Sequence, residues 1–290
     1  MSLIPQDSMD DPKPVPWGRL QDKVAIVTGA SSGFGRAIAF RFSREGARVV
    51  CADIRPNCDD IGSRVEDRGY PTDEYIRHQG GDAVFLPVDV SKADRVEALV
   101  NAAVDRYGRL DIMVNNAGIC PESAPAHIGK RIHEREEEVF HRTMMVNCWG
   151  VFLGCKYAVR QFLKQDCLPS GDRGWIVNLG STSSLVGVGP GLVAYNSSKG
   201  AALQITRSVA VEMGREKIHC NILCPGDAST SCYLPHGESK EAVDETTAGY
   251  PWGRFATVKE IAGAAFFLAS EDAGYVTGAA LAADGGFTAQ

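Results

Sequence analysis

No apolar run in this chain approaches the roughly 20 residues needed to cross a bilayer, and no Cys-x-x-Cys pair occurs anywhere in it. The first absence argues against a helical membrane anchor, the second against a zinc ribbon or dithiol redox motif. Basic excess is lacking too: 30 Lys and Arg stand against 36 Asp and Glu, a net charge of −6. That balance argues against broad attraction to nucleic acid or anionic membranes. Residues Met1 to Pro16 are polar and proline-bearing rather than charged and then apolar, so they do not read as a secretory signal. The nine cysteines are scattered, odd in number and without a pairing framework, which suits a reducing, cytoplasmic setting. Cys51, Cys148, Cys155, Cys220 and Cys224 sit in apolar contexts and read as small hydrophobes. There is no internal repeat and no break in composition. The 290 residues are therefore expected to form a tail over 1–17 and one α/β domain over 18–290.

What is present points to chemistry. Tyr195-Asn-Ser-Ser-Lys199 places a phenol and an ammonium four residues apart, on one face of a helix. A nearby positive charge favours the phenolate and moves the tyrosine towards the range useful for a general acid/base. Alone, this spacing is no more than an exposed helix pair. A second pattern lies near the start of the chain. Lys23-Val-Ala-Ile-Val27 reads as a strand buried on both faces and runs straight into Thr28-Gly-Ala-Ser-Ser-Gly-Phe-Gly35. From Arg36 to Arg44 apolar residues then recur at helical spacing. Strand, glycine-rich turn and helix in that order cradle a dinucleotide pyrophosphate, so Gly29, Gly33 and Gly35 are the expected phosphate-loop residues. Ser31, Ser32 and Phe34 lie between them in the loop. The next strand ends on Asp53, followed by Ile54; an acidic residue there suits a ribose 2′-hydroxyl and repels a 2′-phosphate. Ser32 has no basic neighbour in the loop, and only Arg55 dissents, so the reading favours NAD over NADP.

Seven strand-like runs are expected, near Val24–Thr28, Arg48–Ala52, Ala83–Val88, Ile112–Asn115, Trp175–Leu179, His219–Leu223 and Ala279–Ala283. They alternate with helical patterns, which argues for a doubly wound Rossmann-type parallel sheet with helices on both faces.

Together these patterns resemble the short-chain dehydrogenase/reductase family in its single-domain branch, from about Gly18 to the C-terminus. Its T-G-x-x-x-G-x-G corresponds to Thr28–Gly35 and its post-strand acid to Asp53. Its adenine contact corresponds to Asp89-Val90, and its N-N-A-G stretch to Asn115, Asn116, Ala117 and Gly118. The helix asparagine falls at Asn147, and the P-G followed by a threonine is Pro225-Gly226 to Thr230. The family serine aligns with Ser181 when counted from Ile176, although Thr182 or Ser183 could take that place, because the connection to Tyr195 is one residue longer than usual. The resemblance implies that Tyr195 exchanges a proton with the substrate oxygen and that Ser181 holds that oxygen. Lys199 would lower the tyrosine pKa and bond the nicotinamide ribose, and Asn147 would kink its helix around a water leading to Lys199. Thr230 and the backbone near Pro225 would fix the carboxamide. It also implies a homotetramer, with which the apolar Trp149–Gly154 surface is compatible.

The remaining candidates are bland. The run from His127 to His141, with Glu134 and Glu136 to Glu138, reproduces no zinc motif and reads as a solvated face, so no metal is expected. Asp111 reads as a surface residue or one supporting the site from outside. Specificity is expected from the loop 227–253, with Tyr233, His236, Tyr250 and Trp252, and from the turn after Thr182. An apolar lining there suits a fairly lipophilic alcohol or ketone as substrate. Three readings stand: an NAD-dependent alcohol oxidoreductase, an NADPH-preferring ketoreductase, and a non-catalytic nucleotide-binding scaffold.

Overall fold

A computed structural model describes residues 18–57, 70–228 and 247–290. The expected tail over 1–17, Thr230, Tyr233, His236 and most of the 227–253 loop lie outside these described residues.

The apolar runs become seven strands: β1 (Val24–Thr28), β2 (Arg48–Asp53), β3 (Ala83–Pro87), β4 (Ile112–Asn115), β5 (Gly174–Leu179), β6 (Ile218–Pro225) and β7 (Ala280–Ala283). All pair in parallel in the order β3-β2-β1-β4-β5-β6-β7. This is the doubly wound α/β fold expected from the sequence. β6 runs longer than expected because its pairing with β7 continues to Pro225, opposite Ala283. Side-chain alternation divides the core between the two faces. Val24 and Ile26 of β1 pack on one face with Val96, Leu99, Leu153 and Phe162. Ala25 and Val27 pack on the other with Ile38, Phe42, Ile261 and Phe266.

The helices are α1 (Gly33–Arg44), α2 (Thr72–His78), α3 (Ala93–Tyr107), α4 (Glu137–Met144), α5 (Gly150–Phe162), α6 (Val193–Met213) and α7 (Val258–Leu268). Helix α3 shows why each forms: Val96, Leu99, Val100 and Ala103 repeat at helical spacing and are all buried. Gly108 then stops it in the left-handed conformation, φ +82°, with its N–H on the Val104 carbonyl. Helix α7 begins on a capping box, Thr257 accepting from the Glu260 amide while the Glu260 carboxylate accepts from the Thr257 amide.

Asp111 departs from its surface reading. It is fully buried at the base of β4, where Oδ2 accepts the Val24 amide at 2.8 Å and Oδ1 accepts Arg109 Nε at 2.8 Å. A buried carboxylate is tolerable there because both oxygens are bonded.

Strand order reverses between β1 and β4, so the loops leaving their carboxyl ends diverge and open a crevice, the position where such sheets bind ligands.

Candidate active site

The crevice begins with the glycine loop between β1 and α1. Gly29 has φ +65° and Gly33 φ +51°, values that side chains disfavour. A Cβ on Gly29 would sit 2.8 Å from Asn116 Nδ2, and one on Gly35 would sit 2.0 Å from the Gly29 carbonyl oxygen. The loop is therefore bare by steric necessity. Asn116 Nδ2 donates to the carbonyls of Thr28 at 2.8 Å and Gly29 at 3.2 Å. In return Thr28 Oγ1 accepts the amides of Asn116 at 3.0 Å and Ala117 at 3.1 Å. These four bonds lock the two diverging loops together at the switch point.

At the end of β2, Asp53 Oδ2 accepts the Ser31 amide at 3.0 Å and Oδ1 accepts its neighbour Ile54's amide at 2.7 Å. Burial pushes its carboxyl above the ordinary aspartate range, only partly offset by those bonds and by the Arg55 guanidinium. Ser31 Oγ donates to the Arg55 carbonyl at 2.6 Å, so this serine fastens the loop to the end of β2 and does not line the crevice. The Arg55 side chain is exposed.

Tyr195 and Lys199 occupy the first turns of α6. Lys199 is buried, its Nζ 5.7 Å from the centre of the Tyr195 ring and donating to the Leu179 carbonyl at 2.7 Å. Ser181 follows β5, its Oγ accepting the Ser183 amide at 3.2 Å, and it lines the crevice together with Tyr195 and Lys199. Thr182 and Ser183 are buried and do not line it.

Asn147 lies in a π-helical turn, Met145–Trp149, between α4 and α5. Such a turn widens the helix and frees backbone groups, and it often marks a functional position. Its side chain does not line the crevice but supports the wall: Oδ1 accepts the Ile119 amide and Nδ2 donates to the Ile119 carbonyl, both at 2.8 Å. Nδ2 also reaches Ser198 Oγ at 3.1 Å, and Ser198 Oγ donates to the Tyr195 carbonyl at 2.7 Å.

The resulting cleft has a volume of about 510 Å³. Ser32, Gly33, Phe34, Ile54, Asp89 and Val90 line it, as do Gly118, Pro225 and Gly226. Gly35 lies beneath the loop, against Gly29. The bare cradle, the acid at the end of β2 and the elongated run of lining residues fit a dinucleotide.

Sequence reasoning missed four residues. Ser198 carried a signal, since it stands beside Lys199 one helical turn after Tyr195. Asp227 also lines the cleft, its Oδ2 accepting the Tyr250 hydroxyl at 2.6 Å. Glu122 and Arg135 are buried beside the start of α6, and Arg135 lies inside the charged run read as solvated.

Comparison with known proteins agrees with this geometry. The chain belongs to the short-chain dehydrogenase/reductase family: a family model described as enoyl-(acyl carrier protein) reductase matches residues 29–288. It is 39% identical to 2-(R)-hydroxypropyl-CoM dehydrogenase of Xanthobacter autotrophicus, over 92% of this chain and 99% of that protein. It is 34% identical to (+)-borneol dehydrogenase 2 of Salvia officinalis, over 97% of this chain and 94% of that protein. A crystal structure of a putative short-chain alcohol dehydrogenase from Sinorhizobium meliloti superposes with a TM-score of 0.79 at 31% identity, covering 93% of this chain and 98% of that one. The chain is thus a short-chain oxidoreductase, from a family that uses NAD(P). Among the described residues no helix is long and apolar enough to cross a membrane.

Proposed function

We propose that this protein is an NAD-dependent oxidoreductase that interconverts a secondary alcohol and its ketone on a fairly lipophilic small molecule. One observation carries the reading: Ser181, Tyr195 and Lys199 line the same cleft as the bare glycine loop and Asp53. A bound nicotinamide supplies the hydride acceptor or donor. Tyr195 takes the proton from the substrate hydroxyl, or returns it to the ketone in reverse. Lys199 places a buried positive charge beside the phenol ring and favours the phenolate. Ser181 donates a hydrogen bond to the substrate oxygen and stabilises charge developing on it. Asn147 and Ser198 hold the Tyr195 turn in position. Gly29, Gly33 and the helix start would hold the pyrophosphate, Asp53 the ribose hydroxyls, and Asp89 with Val90 the adenine.

The choice of NAD rests on Asp53, whose charge opposes a 2′-phosphate. Support for a lipophilic substrate comes from relatives named for borneol and for a 3β-hydroxysteroid, both lipophilic alcohols. We read residues 18–290 as one domain with 227–253 as its substrate-recognition segment. Trp149 and Phe152 are 38% and 40% exposed and stack at 5.1 Å, an apolar surface that supports a homotetramer. The described cysteines are free, which supports a cytoplasmic setting.

The test incubates purified protein with NAD⁺ and a panel of cyclic, aromatic and terpenoid secondary alcohols, following NADH absorbance. Tyr195→Phe should bind cofactor normally and lose turnover by about 10²–10⁴-fold. Near-normal activity in that variant, or turnover confined to polyanionic substrates, overturns the reading.

A further inference from the structure

Helix α6 begins without a cap of its own. Leu192 precedes it and offers no side-chain acceptor, so the first amides of the helix have no partner within it. Their partner comes from 72 residues earlier in the chain. Glu122, in the loop after β4, accepts the Ala194 amide on Oε1 at 3.1 Å and the Tyr195 amide on Oε2 at 2.8 Å. The helical positions filled are those that an N-cap side chain normally serves, yet the acceptor is a carboxylate whose side chain is wholly buried.

A buried carboxylate needs a counter-charge. Arg135 provides it, with Nε 3.5 Å from Glu122 Oε1 and its own side chain only 4% exposed. The rest of the guanidinium is spent on backbone. One terminal nitrogen donates to the His127 carbonyl at 3.1 Å; the other donates to Lys130 at 3.0 Å and to Gly191 at 2.6 Å. Gly191 has φ +83°, and a Cβ there would meet the Lys130 carbonyl at 3.1 Å. The pair therefore ties three segments together: the loop after β4, the turn leading into α6, and the first turn of α6 at Tyr195.

We propose that Glu122 and Arg135 are positioning residues for Tyr195, a buried ion pair that caps the catalytic helix from outside and balances the charge beside its phenol. The proposal rests on the reading of Tyr195 as the proton-transferring group. Other charged or titratable groups share the neighbourhood: Lys199 on α6 itself, and Cys120 and Arg142 on the cleft wall. Cys224 and Asp227 lie at the end of β6, Asp284 follows β7, and His127, Lys130 and Glu136 surround Arg135. The Ala194 and Tyr195 amides are both taken by Glu122.

The charge argument gives opposite signs for the two halves of the pair. Glu122→Gln keeps the size and one acceptor but leaves the Arg135 charge uncompensated beside the start of α6, which favours phenolate. Arg135→Gln leaves the carboxylate uncompensated and disfavours it. Glu122 accepts the Tyr195 amide at 2.8 Å, which by covalent geometry holds its charge within about 11 Å of the phenol oxygen. At an effective dielectric of about 40 a unit charge there shifts the midpoint by about half a pH unit.

The measurement is a near-ultraviolet tyrosinate titration of the cofactor-free protein, each variant differenced against the same variant carrying Tyr195→Phe. Glu122→Gln should lower the Tyr195 midpoint and Arg135→Gln should raise it, with the melting temperature and NADH affinity as controls. The doubly neutral Glu122→Gln/Arg135→Gln chain should return towards the wild-type midpoint, and it supplies the second arm if Arg135→Gln does not fold. Midpoints that stay fixed, move in the same direction, or fail to return in the double variant overturn the proposal. Because this readout needs no turnover, it stands apart from the activity test of Tyr195→Phe: loss of the proposal and loss of the catalytic reading give different results.

Discussion

Replacing Asp53 by Asn isolates the charge on which the NAD reading depends. In the structure each carboxylate oxygen accepts one backbone amide, from Ser31 at 3.0 Å and from Ile54 at 2.7 Å, leaving further lone pairs for the ribose. The asparagine keeps one acceptor and turns an NH₂ towards the other amide, which loosens the loop. That loosening weakens NADH and NADPH alike, so it cancels in their ratio. What does not cancel is the charge. A 2′-phosphate about 5 Å from the carboxylate, at an effective dielectric of about 40 for a half-open mouth, opposes it by about 1.7 kcal/mol per unit charge. With about 1.5–2 charges on the phosphate the penalty is about 3 kcal/mol, or roughly 100-fold in relative affinity. Fluorescence titration of wild type and Asp53→Asn with both reduced cofactors should therefore show the NADH preference collapsing by about 100-fold. The pH dependence adds a second arm. Burial raises the Asp53 pKa, so lowering the pH neutralises it sooner than an ordinary aspartate, and wild-type selectivity should relax towards acid. Asp53→Asn shows only the part due to protonation of the phosphate. A wild-type protein that binds NADPH more tightly than NADH, or a ratio untouched by Asp53→Asn, refutes the reasoning.

Gly35→Ala should remove cofactor binding while leaving the fold, because its Cβ would need to displace the Gly29 carbonyl from 2.0 Å and Asn116 Nδ2 from 2.5 Å; isothermal titration with NADH checks this, and retained affinity refutes it. Thr257→Ala removes the cap of α7 and should cost about 1 kcal/mol, read as a lowered denaturation midpoint. Glu260 is held at about pKa 2, chiefly by its hydrogen bond to Arg254 and then by those from Thr257. A depressed carboxylate stabilises the fold above its unfolded pKa and loses that contribution as the pH falls through the folded value. Glu260→Gln should thus lower the melting temperature at pH about 7 and matter little near pH about 2, by no more than about 1 kcal/mol since the pair is largely solvated.

Legibility of the chain followed the range of the interactions. The strands were legible because a strand buried on both faces must be apolar almost throughout, and Val24–Thr28 or Ile112–Asn115 can be little else. The glycine loop was legible because its constraint is local: Gly29 and Gly33 need positive φ, and Gly35 lies under a carbonyl a few residues away. The sequence favoured Ser181 but left Thr182 and Ser183 open. Only the capping turn after β5, which buries the other two hydroxyls, separates them. Glu122 and Arg135 were illegible for the opposite reason. Their partners are the Tyr195 amide and the Gly191 carbonyl, 73 and 56 residues away. A charged side chain committed to distant backbone has no periodicity to betray it. Arg135 was hidden further among glutamates that do face solvent. Asp111 went the same way, since the amide it caps belongs to β1.

The same long-range polar contacts explain how an otherwise apolar sheet holds its reacting groups in register. Directly beneath the cleft, Asn115 Nδ2 donates to Asn178 Oδ1 at 2.8 Å, and Asn178 Nδ2 donates to Thr206 Oγ1 at 2.8 Å. The chain of bonds joins β4 to β5 and β5 to α6, about two turns beyond Lys199 and about three beyond Tyr195. Gly154 lets α5 approach it, since a Cβ there would fall 1.8 Å from Asn115 Oδ1. Apolar residues at these positions would pack equally well but could slide along the strands, because dispersion forces have little direction. Buried amides cannot slide: Asn115, Asn178 and Thr206 are buried, and displacement leaves their donors and acceptors unpaired, at a cost of about 1–3 kcal/mol for each. Register between β4, which leads to Asn116 and the cofactor cradle, and α6, which carries the phenol and ammonium, is therefore set by hydrogen bonds. Hydrophobic burial supplies the stability of this fold, and the Asn115–Asn178–Thr206 chain supplies the distance between its two halves of the site.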